Sequence, residues 1–466
     1  MMTVAPWWVR SQPLNQRSGS DIFAALYSTA QTAVLLESPS HINSPISRYS
    51  ICGGPPRNHH GQLRQWTPTV GQVLSTLKQF PRMAPPLKGN GAAEASKLPF
   101  AGGWLGWLGY DVAWEIEKLP FLRQDPLPFP VAFWYEPASF AVLDHRSQQL
   151  WLAASAPSDL DSMEACLTTA PPPPPDVALG RAPFNLGMSQ SAYEAAVLRA
   201  KHHIRHGDIF QANLSLRFEV QTDADGWALY RRLQCINPSP FANYWRTPWG
   251  EVVSCSPERL VQLCDRKAKT RPIAGTRPRG QTPHQDQQMA DTLRSHPKEI
   301  AEHIMLVDLE RNDLGRVCAL GSIQVDELLV LEYYSHVIHL VSNVVGDLAP
   351  NQDGIDLIRA VFPGGTITGC PKVRCMEIIE TLEPVRRSLF YGSCGYLDCR
   401  GNLDLNILIR TLLIAPTETG QTIWGQVGAG IVADSQPDRE WWESLQKAKA
   451  QLLALGLTLD AKAPVA

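Results

Sequence analysis

Five consecutive prolines, Pro171–Pro175, constrain this 466-residue chain more than any other stretch. Each fixes φ and lacks a backbone N–H, so the run cannot sit in a helix interior or a central strand and favours polyproline II. With the polar APSDLDSMEACLTTA before it, the segment reads as a linker or a long surface loop. The expected organisation is a region over 1–170, a proline-rich connection over 171–183 and a second region over 184–460. Short apolar runs such as AVLLES, RYSICGG and FAVLDHRSQQLWLAAS, punctuated by glycine and proline, make the first region β-rich. Within it, the glycines of GGWLGWLGYD (102–111) let aromatic side chains pack close to the backbone.

A hydrophobic fraction of 44% is enough for a sizeable core. With 42 basic and 45 acidic residues, the formal net charge of −3 gives no overall field favouring nucleic acid or an anionic membrane. No basic stretch followed by a long apolar run opens the chain, and no run of about eighteen apolar residues occurs, so a cytoplasmic protein without membrane contact is expected. Of ten cysteines, none forms a CxxC pair, and a disulfide framework is not expected. Cys370, Cys375, Cys394 and Cys399 have no histidine among them and fit small buried hydrophobes better than a zinc site.

The second region mixes helical and strand patterns. Tyr193, Val197, Ala200 and Ile204 form an apolar stripe at helical spacing, with Gly207 as a stop. In DIFQANLSLRF, Phe210, Ala212, Leu214, Leu216 and Phe218 alternate with Ile209, Gln211, Asn213 and Ser215. The polar row fits a lined cavity or a solvated sheet surface, and the pattern leaves both open. Over HPKEIAEHIMLVDLERNDLGR, Pro297 suits a first helical turn, Ile300, Ile304 and Val307 make the expected buried stripe, and Glu299 and Glu302 share another face. After PDRE, Trp441, Leu445, Ala448 and Leu452 make a core stripe, while Glu440, Glu443 and Lys447 share a different face. Two converging acidic pairs would build an all-oxygen site with few protein ligands and several waters, as Mg2+ prefers. A solvated helix face is the commoner reason for an isolated acidic pair.

Gly364, Gly365, Thr366 and Gly369 form a loop before PKVRCMEIIETLE, whose helix start near Pro371 offers free N–H groups to a carboxylate. The GK[ST] ending of a phosphate loop is absent. Arg410 sits mid-strand in an apolar run and needs an anionic partner. Glu258 in SCSPERL and His339 in YYSHVIHLVS are single ionisable residues in β-like sequence, and a structural role is the commoner reason for either alone.

Taken in order, GDIFQANLS, SCSPERL, RPIAGTRPRG, KEIAEHIMLVDLERNDLGRV, FPGGTITGCPK, IRT, GAGIVADS and a final ExxExxxK resemble the chorismate-utilising enzymes. The likeness is greatest to the large synthase components that make anthranilate or 4-amino-4-deoxychorismate. It covers about 180–455 closely and extends more loosely to LLES (35–38) and RYS (48–50). The resemblance implies an α+β fold in which two large antiparallel sheets pack together, with helices outside and the two halves of the chain interleaved. It implies Mg2+ bound by Glu302 and Glu443, supported by Glu299 and Glu440. The ring carboxylate of chorismate would lie on the metal, Gly428 and Lys447, and the enolpyruvyl carboxylate on Arg410 and Tyr391, with Gly275 and Thr276 also binding substrate. Glu258 matches the general acid for the departing C4 hydroxyl, and His339 and Thr366 match residues around the reacting ring.

Gln211 stands where water-adding relatives resemble one another in carrying a lysine base, which implies ammonia as the nucleophile. That ammonia is expected from a separate glutamine amidotransferase subunit or from solution. Ala274 in PIAGT and the stretch SHVIHLVSNVVG look like anthranilate synthases, since aminodeoxychorismate synthases resemble one another in PIKGT. QANLS, FPGGTITG, YGSCGYL and DLNILIRT look more like aminodeoxychorismate synthases. The balance implies amination at C4, towards 4-aminobenzoate and folate, with anthranilate formation as the alternative. Ser38 of LLES, with Pro240 and Phe241 of NPSPF, resembles the family's tryptophan pocket, as a feedback switch or a structural fixture. A third reading, a non-catalytic tryptophan-binding subunit, predicts a missing acid or metal ligand, yet Glu258, Glu302 and Glu443 are all present.

Overall fold

The computed structural model describes residues 6–39, 46–80, 85–168, 184–334, 337–417 and 420–457; the proline run lies outside them. The alternating apolar runs pair almost entirely antiparallel. Among the described residues, a 13-stranded sheet begins with Phe184–Leu186, Gln211–Thr222, Gly420–Ile431, Thr411–Thr417, Gly250–Ser256 and Phe241–Thr247. It continues through Ala33–Glu37, Tyr49–Gly53, Ser139–Asp144, Gln149–Ala154, Trp7–Pro13 and Leu87–Lys88, while Gly369–Cys370 pairs with Gln211–Thr222 off this path. A 10-stranded sheet includes Ile273–Pro278, Val337–Asp347, Arg259–Cys264, Leu403–Asn406, Ser393–Asp398 and Gly103–Leu108. Strands from before and after residue 171 meet in both sheets: Phe241–Thr247 pairs with Ala33–Glu37, and Ser393–Asp398 with Gly103–Leu108.

The two sheets share an aromatic core. Trp107 of the smaller sheet meets Trp245 of the larger one edge-on, with 5.5 Å between ring centroids, and both are buried. Such rings need backbone room, and Gly106 provides it: a Cβ there would lie 2.3 Å from Phe133 O and from the Trp134 ring. Helices cover the larger sheet's outer face. Gly19–Tyr27 and Gly226–Ile236 bring Phe23, Leu229 and Tyr230 against Tyr244 and Val253, while Gln190–Arg205, Lys372–Leu382 and Pro437–Lys447 cover Ala212, Leu214 and Leu216. The fold is therefore α+β, with two large antiparallel sheets packed together and flanked by helices.

Local chemistry sets the elements that matter most. Helix Gln190–Arg205 starts where the Ser189 side chain accepts a hydrogen bond from Ala192 N, and it buries Tyr193, Val197 and Ala200. Gly207, at φ +77, takes the chain out of it. In the next strand Ala212, Leu214, Leu216 and Phe218 are buried under the helices, but Phe210 is 68% exposed. The strand begins only at Gln211, and Phe210 N already donates to Cys370 O, which leaves the ring outside the alternation. A second expectation fails in helix Pro297–Gly315. Ile304 is 43% exposed, and the inward face instead carries His303, Glu310 and Asp313 beside Leu306, Val307 and Leu314. Apolar spacing misleads here because the helix packs its charged side inward, with Asp313 against Lys372 Nζ at 2.6 Å.

The tight approach at Gly106 yields a stability prediction. Gly106→Val would force the Trp134 ring and the neighbouring strand apart, and overpacking of this kind costs about 3 kcal/mol. Thermal or urea denaturation of the purified variant should show a clear loss of stability relative to wild type.

Candidate active site

The polar row of the Gln211–Thr222 strand faces a cavity of about 1010 Å³, lined on that side by Gln211 and Asn213. A bulge in the Ile273–Pro278 strand, between Ile273 and Thr276, turns Ala274, Gly275 and Thr276 into its wall. Gly275 adopts φ +79, and a Cβ there would meet Glu299 Oε2 at 2.9 Å. Helices Pro297–Gly315 and Pro437–Lys447 bring in Glu299, Glu302, Glu440, Glu443 and Lys447, and Thr366 and Arg410 complete the lining. Six separate stretches of chain thus place ten of the sequence-identified residues around one space.

The acids differ in state. Glu302 accepts a hydrogen bond from Gln211 Nε2 at 2.8 Å; burial raises its pKa, opposed by that hydrogen bond, and the neighbouring Glu299 charge adds to the rise. Burial also raises Glu440, with Glu443 adding to the effect. Glu299 pairs with Arg277 Nη1 at 3.0 Å, and Glu443 with Lys447 Nζ at 3.0 Å. Lys447 Nζ also donates to Gly428 O at 3.0 Å, which joins the helix to the glycine strand beneath it. Among the described residues, no three carboxylate, histidine or cysteine side chains converge as a ready-made metal cage. Glu299, Glu302, Glu440 and Glu443 form an all-oxygen set of the kind a hard divalent cation takes, and they are the residues that could hold one. Buried Gln211 Oε1 and Asn213 Oδ1 find no hydrogen-bond partner among the described residues, so this wall offers two acceptors to a ligand.

Glu258, His339, Tyr391 and Gly428 are buried and adjoin the lining, Glu258 beside Thr366, His339 beside Thr276, and Tyr391 and Gly428 beside Asn213. Burial pushes Glu258 up to about 7, against the pull of the Thr366 hydroxyl and the Arg410 charge. It is thus a carboxyl that can carry its proton near neutrality. His339 shares a hydrogen bond of 2.9 Å with Thr276 Oγ1, and burial, reinforced by Arg410, takes its pKa down to about 3. The ring is neutral at ordinary pH. A Cβ on Gly428 would lie 3.0 Å from both Asn213 Oδ1 and Tyr391 Oη, so only glycine leaves those groups their space.

Two expectations need correcting. Arg410 is not mid-strand: it adopts φ +50 in the break between Leu403–Asn406 and Thr411–Thr417. That turn points its guanidinium to Asn237 Oδ1 at 3.1 Å, and its charge also acts on the Glu258 carboxyl, though among the described residues it makes no close ion pair. Nor does the start of helix Lys372–Leu382 border the cavity; Lys372 there is spent on Asp313 and Val361 O, and the glycine loop contributes Thr366 instead. Ser38, Pro240 and Phe241 line a separate cavity of about 620 Å³, where Ser38 Oγ donates to Pro240 O at 2.6 Å. All ten cysteines are free.

The polar row that the sequence offered as a cavity lining does line one through Gln211 and Asn213, whereas sequence reasoning missed Arg277 as the partner of Glu299 and the buried pair Glu383–Arg387. Glu383 caps the end of its helix and Pro384 follows it, so helical spacing carried no signal for the pair.

A two-sheet α+β scaffold with an acid-lined cavity between strand ends and helices defines the class of protein. The sequence pattern of chorismate binding enzymes matches residues 51–453, and the chain belongs to that family. It is 55% identical to an anthranilate synthase component I-like protein of Synechocystis sp., over 98% of this chain and 93% of the relative. It is 43% identical to aminodeoxychorismate synthase component 1 of Bacillus subtilis, over 77% and 78% respectively. The crystal structure of anthranilate synthase component I from Streptococcus pneumoniae superposes with a TM-score of 0.73 at 30% identity, covering 88% of this chain and 93% of that one. No helix among the described residues is long and apolar enough to cross a membrane.

The raised pKa of Glu258 carries a stability consequence. Between its unfolded value near 4.5 and its folded value of about 7, the native state holds more protons, so this group's contribution to stability is lost as pH rises through that window. Glu258→Gln removes the term. Relative to wild type, the variant should gain on the order of 3 kcal/mol more at pH 8 than at pH 4.5, read by denaturant unfolding at both values.

Proposed function

We propose that this protein aminates chorismate with ammonia, at C4, giving 4-amino-4-deoxychorismate. The observation that carries amination is Gln211: its amide lies in the cavity wall, hydrogen-bonded to Glu302, where a basic amine would be needed to activate water. Ammonia needs no such base. Arg410, which makes no close ion pair among the described residues, and Tyr391 hold the enolpyruvyl carboxylate; Lys447 and the Gly428 backbone attend the ring carboxylate. Glu258 gives its proton to the departing C4 hydroxyl, which leaves as water, while neutral His339 is held by Thr276 beside the ring. Glu302 and Glu443, with Glu299 and Glu440 in support, would hold Mg2+, which would supply electron withdrawal at the ring carboxylate. A glutamine amidotransferase subunit delivers the ammonia, and the Ser38, Pro240 and Phe241 cavity is of a size to accept tryptophan.

A second reading, anthranilate formation by amination at C2 with loss of pyruvate, is favoured by Ala274. Its methyl group lies in the cavity wall and offers no nucleophile to the ring. Purified protein incubated with chorismate, Mg2+ and ammonium separates the two. The C4 reading expects a non-fluorescent product that yields 4-aminobenzoate only when a lyase is added; anthranilate fluorescence without lyase would sink it.

Because Glu258 must be protonated to act as the acid, turnover should decline as pH rises above about 7, and Glu258→Gln should abolish it. In a magnesium titration of the ammonium-dependent rate, Glu302→Gln should raise the half-saturating concentration about tenfold or more. An unchanged titration would remove Glu302 from the metal set.

A further inference from the structure

Arg387 is almost fully enclosed, 1% exposed, between the Tyr110 and Tyr391 rings, and its hydrogen bonds run to Glu383 and to two carbonyls beside the cavity lining. Nε and Nη2 donate to the two Glu383 oxygens at 2.9 and 2.7 Å. Nη1 donates to Ile367 O at 2.8 Å, and Nη2 also to Asn213 O at 2.7 Å. One carbonyl belongs to the residue after Thr366 and the other to Asn213, and both Thr366 and Asn213 line the cavity. Glu383 accepts from Ser215 N at 2.8 Å and from Ser215 Oγ at 2.7 Å, two residues further along the same strand. The guanidinium also lies 4.6 Å from the Tyr391 ring centroid.

A buried ion pair is a costly way to fill space, and apolar side chains of similar volume commonly serve stability as well. A planar guanidinium offers something they do not: hydrogen bonds in one plane, which fix the spacing and direction of the carbonyls it binds. Here it reinforces a junction that the backbone makes only on the far side of the 365–367 turn, where Asn213 N donates to Thr368 O at 2.9 Å and Gly369–Cys370 pairs with the Gln211–Thr222 strand.

We propose that Arg387, with Glu383, is a positioning residue of the active site. It locks the turn carrying Thr366 against the strand carrying Gln211 and Asn213, and sets Tyr391 beside them. The kinetic consequence rests on the chorismate-amination reading; the structural one does not.

Two variants test the proposal. Arg387→Met with Glu383→Gln removes both charges and keeps an acceptor for Ser215, while Arg387→Lys keeps a charge without the planar fork. Both should fold, by circular dichroism and thermal melting. Hydrogen exchange followed by mass spectrometry should speed up over residues 364–369 and stay unchanged in the Gly103–Leu108 strand. The ammonium-dependent kcat should fall about 100-fold in both, as expected for misplaced reacting groups, with a much smaller change in KM for chorismate. Folded variants with wild-type kcat and wild-type exchange at 364–369 overturn the proposal. So does a kcat loss that merely tracks the folded fraction, since the pair would then only support the fold. If wild-type protein leaves chorismate unchanged, the amination reading falls and the exchange comparison alone decides the role of Arg387.

Discussion

The cost of taking charge out of water governs how this molecule is built. Two sheets enclose an aromatic core, and any ionisable group placed near it must either find a partner or change its protonation state. Arg387 and Glu383 take the first course, and so do Lys372 and Asp313. Glu258 and His339 take the second, one drawn towards its protonated form and the other held neutral. The reactive character of the site is thus a by-product of where the sheets place it. Move Glu258 to the surface and its acidity returns to that of an ordinary carboxylate.

The cavity divides this work between a soft side and a hard side. Helices Pro297–Gly315 and Pro437–Lys447 contribute Glu299 and Glu443, partly solvated and matched by Arg277 and Lys447, beside the more buried Glu302 and Glu440. Strand Gln211–Thr222 and the 365–367 turn contribute fixed polar groups backed by the buried arginine. Glycines at 275, 428 and 430 keep the two sides close; at Gly430 a Cβ would sit 2.3 Å from Gln211 Nε2.

Much of the fold could be read from the sequence because its signals were local. The alternation of Ala212, Leu214, Leu216 and Phe218 and the stripe of Tyr193, Val197 and Ala200 correspond to real buried faces. Ile304 defeated the same logic, because its helix buries His303, Glu310 and Asp313 and leaves an isoleucine in solvent. Arg410 was misplaced because a left-handed backbone leaves no mark in an apolar run. The residues gathered around the cavity came from ordered motifs, whereas Arg387 escaped: its partners include backbone carbonyls, which have no residue identity to read. Periodicity reports what faces a core, and says little about hydrogen bonds between distant segments.

The two seams between early and late strands have a consequence in time. A ribosome releases Ala33–Glu37 and Gly103–Leu108 long before their partners, Phe241–Thr247 and Ser393–Asp398, exist. Until then the early strands have unfilled edges and unburied tryptophans, the condition in which nascent chains aggregate or recruit chaperones. Neither sheet can close until more than four-fifths of the polypeptide has emerged, so this protein matures as one late event rather than in two instalments.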